Sequence, residues 1–542
     1  MKRYLRTAAC AGCAFLLLSV FAHAAVYLVD QRHPLASDAN AGTPDAPWKT
    51  VSRAASAAKA GDTVYVAEGV YDERVSISSS GTSGKRICFL GVPPRAAVVR
   101  GFVITGAWVR VSGFHITSET PTVGSSAYDG GFLIDGEYVE VSDNLVTNLN
   151  AAVSGKGKHV VVRHNRFSKC QISVVVGGEH WLFDGNEIHR VFQHIPDSDC
   201  DYMRLWGKNH VVRCNRFHGT KKSSDPAENE VGKAHLDILQ TWATKEYHFL
   251  QDLLCEKNFC EVFSQGAMVE CDLPGHVARL VFQENIYWKG GSWGLNINGA
   301  QDVTVRNNTF VAIGLFGPVL RKGSTGVVED NLCVDIGTRQ PTRWYDRQGE
   351  KVGITDAFFV DSSAGNFRLR KESPCVAAGR NGGAVGACGW PQVYYVDGSH
   401  PAADDAGPGY PGWPLRTIRA ALSRATEGET VVVRGGVYRE NIMPALSLSR
   451  DRRICLRSWE AETAVVSPAR EVTGWRRDGQ RWVASYPERP TTLHRDGRPA
   501  QFEYDSVKKL VAVKGFDPRL CLMEAFGNSK SPLLTISGAD VR

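Results

Sequence analysis

Between residues 139 and 331 one short pattern of apolar and polar positions recurs. The strings VEVSDN, VVVRHN, WLFDGN, VVRCN, LLCEKN, LVFQEN, VTVRNN and GVVEDN alternate the two kinds of residue and each ends in asparagine. Those asparagines are Asn144, Asn165, Asn186, Asn215, Asn258, Asn285, Asn308 and Asn331, at intervals of 21, 21, 29, 43, 27, 23 and 23 residues. Alternation with period two marks short strands with one buried face. A long-period recurrence with no helix between strands predicts the coils of a stacked parallel solenoid. Each Asn then occupies the same corner, where its amide satisfies backbone groups and its tolerance of left-handed geometry eases the bend.

A second repeat is longer. Val26-Tyr-Leu-Val-Asp30 and Val393-Tyr-Tyr-Val-Asp397 open two segments offset by 393 − 26 = 367 residues, and the offset persists without a gap to Arg86-Ile-Cys88 and Arg453-Ile-Cys455. Each copy reads as a strand, a Gly/Pro/Asp loop, one amphipathic helix (near Thr50 to Lys59, or Thr417 to Thr426) and a further strand. The first helix is placed to cap the open end of the stack, an edge that otherwise invites pairing. Residues shared by both copies, such as Asp30 and His33, read as structural. The second copy diverges near Ser467, where the segment to about 535 reads as a β-sandwich insertion. The predicted organisation is residues 26–391 as a parallel β-helix and 392–542 as an incomplete second unit with an unfinished, exposed coil edge and no catalytic role.

Composition adds limits. Hydrophobic residues make up 43% of 542, enough for a large core, and Gly at 54 suits solenoid corners; disorder, collagen and coiled coil are excluded. A formal charge of +6 is too diffuse to argue for nucleic acid. Residues 1–25, with Lys2, Arg3 and Arg6 ahead of an apolar run and Ala22-His23-Ala24 at its end, read as a signal peptide, and no later stretch is long enough to span a bilayer. Secretion or a periplasmic location is expected. Disulfides are then allowed, and Cys375 with Cys388 could close one small loop.

The opening VYLVD…AGTPDAPWKTVSRAASAAKAGDTVYVAEGVY, the Asn-punctuated coils and the terminator NFRLRKESPCVAAGRNGGAVGA resemble the right-handed parallel β-helix proteins of the polysaccharide-lyase type. The resemblance implies an all-β fold and a carbohydrate substrate. The nearest likeness is to pectate lyases of family nine, which implies calcium and a lysine base, but the adjacent aspartates of that family's calcium site are not found here.

Insertions in a solenoid gather on its functional face. The 43-residue interval holds a loop from Gly219 to Asn229, then Lys233-Ala-His235-Leu-Asp237. Strand parity turns Leu236 and Ile238 inward and predicts that Lys233, His235 and Asp237 face outward together. The same parity turns Arg204, Glu270 and Asp272 outward, followed by Asn296 and Asn298. Positions 204, 237 and 270 are each 33 apart, which suggests one column on adjacent rungs.

β-Elimination from a uronic-acid polymer needs a neutralised carboxylate, a base for the adjacent C–H and an acid for the leaving oxygen. Arg204, or Ca²⁺ held by Asp237, Glu270 and Asp272, could neutralise the carboxylate; Lys233 or His235 could be the base. Glycoside hydrolysis is the rival, with Asp237 and Glu270 as a retaining pair or Asp201 and Glu270 as an inverting one. A non-catalytic sugar binder would stack rings on Trp206, Trp242 and Tyr202.

Overall fold

The computed structural model describes residues 24–118, 130–337, 343–345, 351–353, 357–389, 392–442, 454–460, 462–467, 469–495, 498–514, 518, 523–526 and 534–537. Most of the expected signal peptide lies outside the described residues. Three parallel ladders wind around one apolar core. One runs through Glu140–Ser142, Lys158–Arg163, Glu179–Asp184 and Val211–Arg213. The next runs through Leu145–Thr147, Arg166–Ser168, Glu187–His189 and Arg216–His218. The third runs through Ala151–Gly155, Ile172–Val176, Cys200–Leu205 and Leu236–Ala243. The architecture is a parallel β-helix, as the alternation predicts. Val141, Val162, Phe183 and Val212 fill its interior, each at most 1% exposed.

The asparagines stand at the corner between the first two ladders and form one continuous hydrogen-bonded column. Asn165 Oδ1 accepts both the backbone N–H and the Nδ2 of Asn144 at 3.0 Å, and Asn165 Nδ2 donates to Val141 O at 2.9 Å. The same triad recurs up to Asn331. The left-handed residue is not the asparagine but its predecessor: Asp143, His164, Gly185, Cys214, Lys257, Glu284, Asn307 and Asp330 all have φ between 52° and 66°. The Asn is held by its amide contacts, so the bend falls one residue earlier.

The helix Val51–Ala57 packs Val51, Ala54 and Ala55 against the first coil. Thr50 caps it, and Glu73 accepts from the backbone of Val51 and Ser52. The second helix, Ile418–Arg424, repeats this to the hydrogen bond, with Thr417 and Glu440 in the same roles. Both helices are shorter than their apolar spacing predicts. No helix among the described residues is long and apolar enough to cross a membrane.

The second unit begins a parallel sheet, Val393–Val396, Thr430–Val433 and Cys455–Ser458. Two four-stranded antiparallel sheets follow within 470–526 and share an apolar cluster of Val472, Trp475, Ala484, Leu493, Val511 and Val513. The exposed coil edge expected here is not bare: Thr463–Val466 is paired antiparallel by Leu534–Ser537. The unit leans on the side of the first helix at the Asn corner. Arg434 donates to both oxygens of Asp184 at 3.2 and 2.8 Å, and His164 Nε2 lies 3.2 Å from Asp397. Cys375 and Cys388 are unbridged. Cys375 is fully buried, and burial also pushes the Cys388 thiol up to about 11.

Candidate functional site

The long insertion emerges where the third ladder turns a corner. On Cys200–Leu205 the inward residues are Cys200, Tyr202, Met203 and Leu205; on Leu236–Ala243 they are Leu236, Ile238, Leu239, Thr241 and Ala243. The doubled inward step, 202–203 and 238–239, leaves Asp201 and Arg204, then Asp237, Gln240 and Trp242, on the outer face. Arg204, Asp237, Glu270 and Asp272 therefore face outward as parity predicts, but not in one column. Register pairs Asp201 with Asp237 and Arg204 with Gln240, an offset of 36 residues, and pairs Trp242 with Glu270 and Glu270 with Asn298. The insertion contributes three residues more than equal spacing assumed.

This corrects the expected cation site. Asp237 is followed up its column by Gln265, whereas Glu270 stands five positions further along the neighbouring strand, against Trp242. At about 3.3 Å per residue the two carboxylates are too far apart to share one ion, and Asp272 is farther still. Among the described residues no three His, Cys, Asp or Glu side chains are grouped to hold a metal. The Asp237/Glu270/Asp272 set does not fit Ca²⁺. The same separation rules out Asp237 with Glu270 as a retaining pair.

The structure instead joins Asp201 to Asp237. Both side chains are fully buried. Asp201 Oδ1 accepts the Asp237 N–H at 3.1 Å, and Asp237 Oδ1 accepts the Gln265 N–H at 3.1 Å. Arg204, 7% exposed, donates to Asp201 at 2.6–2.7 Å and to Asp199 at 3.2 Å, with its guanidinium 5.5 Å from the Trp242 ring centroid. Burial pushes the Asp201 carboxyl up to about 6 despite Arg204, and burial plus the Asp201 charge pushes Asp237 well above the carboxylate range. Asp237 thus holds a proton more tightly than an ordinary carboxyl. Its Oδ2 and the Oε1 of Gln240 are buried with no hydrogen-bond partner among the described residues of the protein.

Lys222, in the inserted loop, is a lysine whose charge is felt by this pair. Its Nζ donates to Ser264 Oγ at 2.6 Å and to Ala234 O at 3.3 Å, and partial burial lowers its affinity for a proton although Asp237 opposes the shift. Lys233 and His235 lie before the strand, which starts at Leu236, and are exposed on the rim. Sequence reading missed Lys222, Gln240 and Gln265; the doublet Lys221-Lys222 inside the longest insertion was the available signal.

The sugar-binding candidates divide. Tyr202 is fully buried, packed edge-on to Phe217 and bonded to Thr220 at 2.8 Å, so it belongs to the core. Trp206 and Trp242 meet at right angles 4.5 Å apart and, with Tyr247, His248, Lys156 and Lys158, line a cleft of about 610 Å³ that starts two positions along the strands from Arg204 and Gln240 and extends to the rungs below. Asn296 Nδ2 donates to Gln265 Oε1 at 2.9 Å and Asn298 Nδ2 to Asn296 Oδ1 at 3.2 Å, forming a polar floor on the rungs above.

A family described as "Protein of unknown function (DUF1565)" matches residues 36–77. The uncharacterized protein YwoF of Bacillus subtilis (strain 168) is 25% identical over 201 residues, which are 36% of this chain and 40% of that protein, so the match spans less than half of its length. Among solved structures, pectate lyase Pel9A is similar with a TM-score of 0.44 at 15% identity, over 67% of this chain and 96% of that one. A rhamnogalacturonan lyase has 0.40 at 13%, over 68% and 96%. A GH136 lacto-N-biosidase from Eubacterium ramulus has 0.38 at 12%, over 58% and 68%. This chain's own pairing and contacts make it a parallel β-helix with a buried carboxyl pair at its longest insertion.

Proposed function

We propose that the protein is a secreted or periplasmic carbohydrate-active enzyme that cleaves an acidic, uronic-acid polysaccharide by β-elimination. The observation that carries this reading is one patch in which a carboxyl group is pushed up and a lysine pushed down: Asp237 holds its proton more tightly than a free carboxyl, and Lys222 holds its own less tightly than a free lysine. Opposed shifts of that kind assign acid and base. Lys222 Nζ takes the proton α to the sugar carboxylate, the electron pair forms the ring double bond, the glycosidic C–O bond breaks, and Asp237 protonates the leaving oxygen. Arg204 supports the charge that develops on the sugar carboxylate. Lys233 and His235 on the rim, and Lys156 and Lys158 in the cleft, face the polymer's other carboxylates. Because Asp237 is roofed over, the 219–235 loop must lift when substrate enters.

A second reading, hydrolysis, is favoured by Asp201 and Asp237 themselves. Two carboxyls on adjacent rungs are about 4.8 Å apart, both holding protons more tightly than free carboxyls, near the retaining separation of about 5 Å. Incubation with pectate, alginate and glycosaminoglycans, with Ca²⁺ and with chelator, separates the readings. Absorbance of unsaturated product selects elimination, reducing ends without it select hydrolysis, and binding without cleavage leaves a sugar-binding protein.

A further inference from the structure

Above Asp237 the outer column does not stay polar. Register carries it from Asp237 to Gln265, then to Trp293, then to Phe316. Trp293 and Phe316 stack with ring centroids 4.7 Å apart at 29°, and the Arg321 guanidinium lies 4.8 Å from the Trp293 centroid. Phe316 is 47% exposed and its neighbour Leu315 51%. Arg321 stands on the next strand position of the column that holds Glu270 and Asn298. A half-buried tryptophan stacked with an exposed phenylalanine beside a cation, continuous with the acid–base patch, is not core packing.

We infer that Trp293, Phe316 and Arg321 form a sugar subsite two to three rungs beyond Asp237, about 10–14 Å along the helix axis. The inference rests on the proposed action on an acidic polysaccharide and adds where the chain lies. A pyranose ring covers the aromatic face with its C–H bonds and keeps its hydroxyls wet, while its carboxylate meets Arg321. The Gln265–Asn296–Asn298 floor supplies hydrogen bonds between this platform and the patch. The polymer therefore climbs the helix obliquely, from the cleft beside and below Arg204, past Asp237, to Phe316. An enzyme gripping substrate on both sides of its chemistry cuts within chains.

Affinity electrophoresis of the full chain in gels containing polygalacturonate, alginate, heparin or neutral dextran tests this. The retarding anionic polymer should bind about tenfold more weakly to Trp293→Ala/Phe316→Ala. Phe316→Trp should retain affinity, and Arg321→Gln should weaken binding to the anionic polymer only. Wild-type retardation of both the double variant and Arg321→Gln would overturn the subsite and leave the proposed function standing. If none of the anionic polymers retards the wild-type protein, both fall together.

Discussion

Asp237 sits one rung above Asp201 and donates its backbone N–H to the Asp201 carboxylate at 3.1 Å, so two acids share a fully buried column, with the Arg204 guanidinium bonded to Asp201. Both carboxyls hold protons more tightly than in an unfolded chain. The folded state therefore binds more protons than the unfolded one above about pH 4. Stability from this pair is present at low pH and is lost as pH rises through about 6 for Asp201 and through the raised folded value for Asp237. Asp237→Asn, which keeps the shape and removes the titration, should flatten the fall in melting temperature between pH 5 and 8. It should also abolish at least about 99% of cleavage. An unchanged pH–stability curve would contradict the buried-proton assignment.

The Asn column predicts a different loss. Asn258 accepts from Asn215, donates to Val212 O and Asn285, and is 2% exposed. Asn258→Ala leaves several buried groups unpaired and should cost about 3 kcal/mol in denaturant unfolding. An exposed control, Asn381→Ala, should cost almost nothing.

The contact between the two units is ionic and buried. Arg434→Met leaves the buried Asp184 with only the 3.3 Å contact from Arg213 and should destabilise the contact by about 3 kcal/mol. Limited proteolysis between residues 389 and 392 should accelerate.

The same contact has a pH window. Burial pushes His164 down, but the Asp397 carboxylate more than offsets it, so its folded affinity for a proton is raised. That contribution is complete below the unfolded value of about 6.5 and is lost as pH rises through the raised folded value. Asp397 is depressed, so its own contribution vanishes as pH falls into the acid range. Docking should be firmest at mildly acidic pH, and His164→Gln should remove the alkaline loss, as read by the same proteolysis rates across pH.

The coils were legible because a parallel solenoid writes its period into the chain: inward valines alternate with polar residues, and the amide of Asn165 or Asn285 has no substitute that makes the same three bonds. Their left-handed predecessors were not legible, because Asp143, His164 and Cys214 share no chemistry, only a φ. Outward direction was readable at Arg204 and Asp237 from parity alone. The pairing of Asp237 with Asp201 was not, because an insertion fixes no register and the doubled inward step at 202–203 breaks simple alternation. Lys222 approaches the pair through loop folding, which no periodicity records. Tyr202 shows the converse error: an aromatic near a candidate site looked like a platform and is core.

The rate at which Lys222→Met forms unsaturated product, set beside its retardation by the same polymer, tests the central claim most directly. A fall of at least about a hundredfold in that rate with retardation unchanged is the predicted result. Product formation at the wild-type rate would contradict the account.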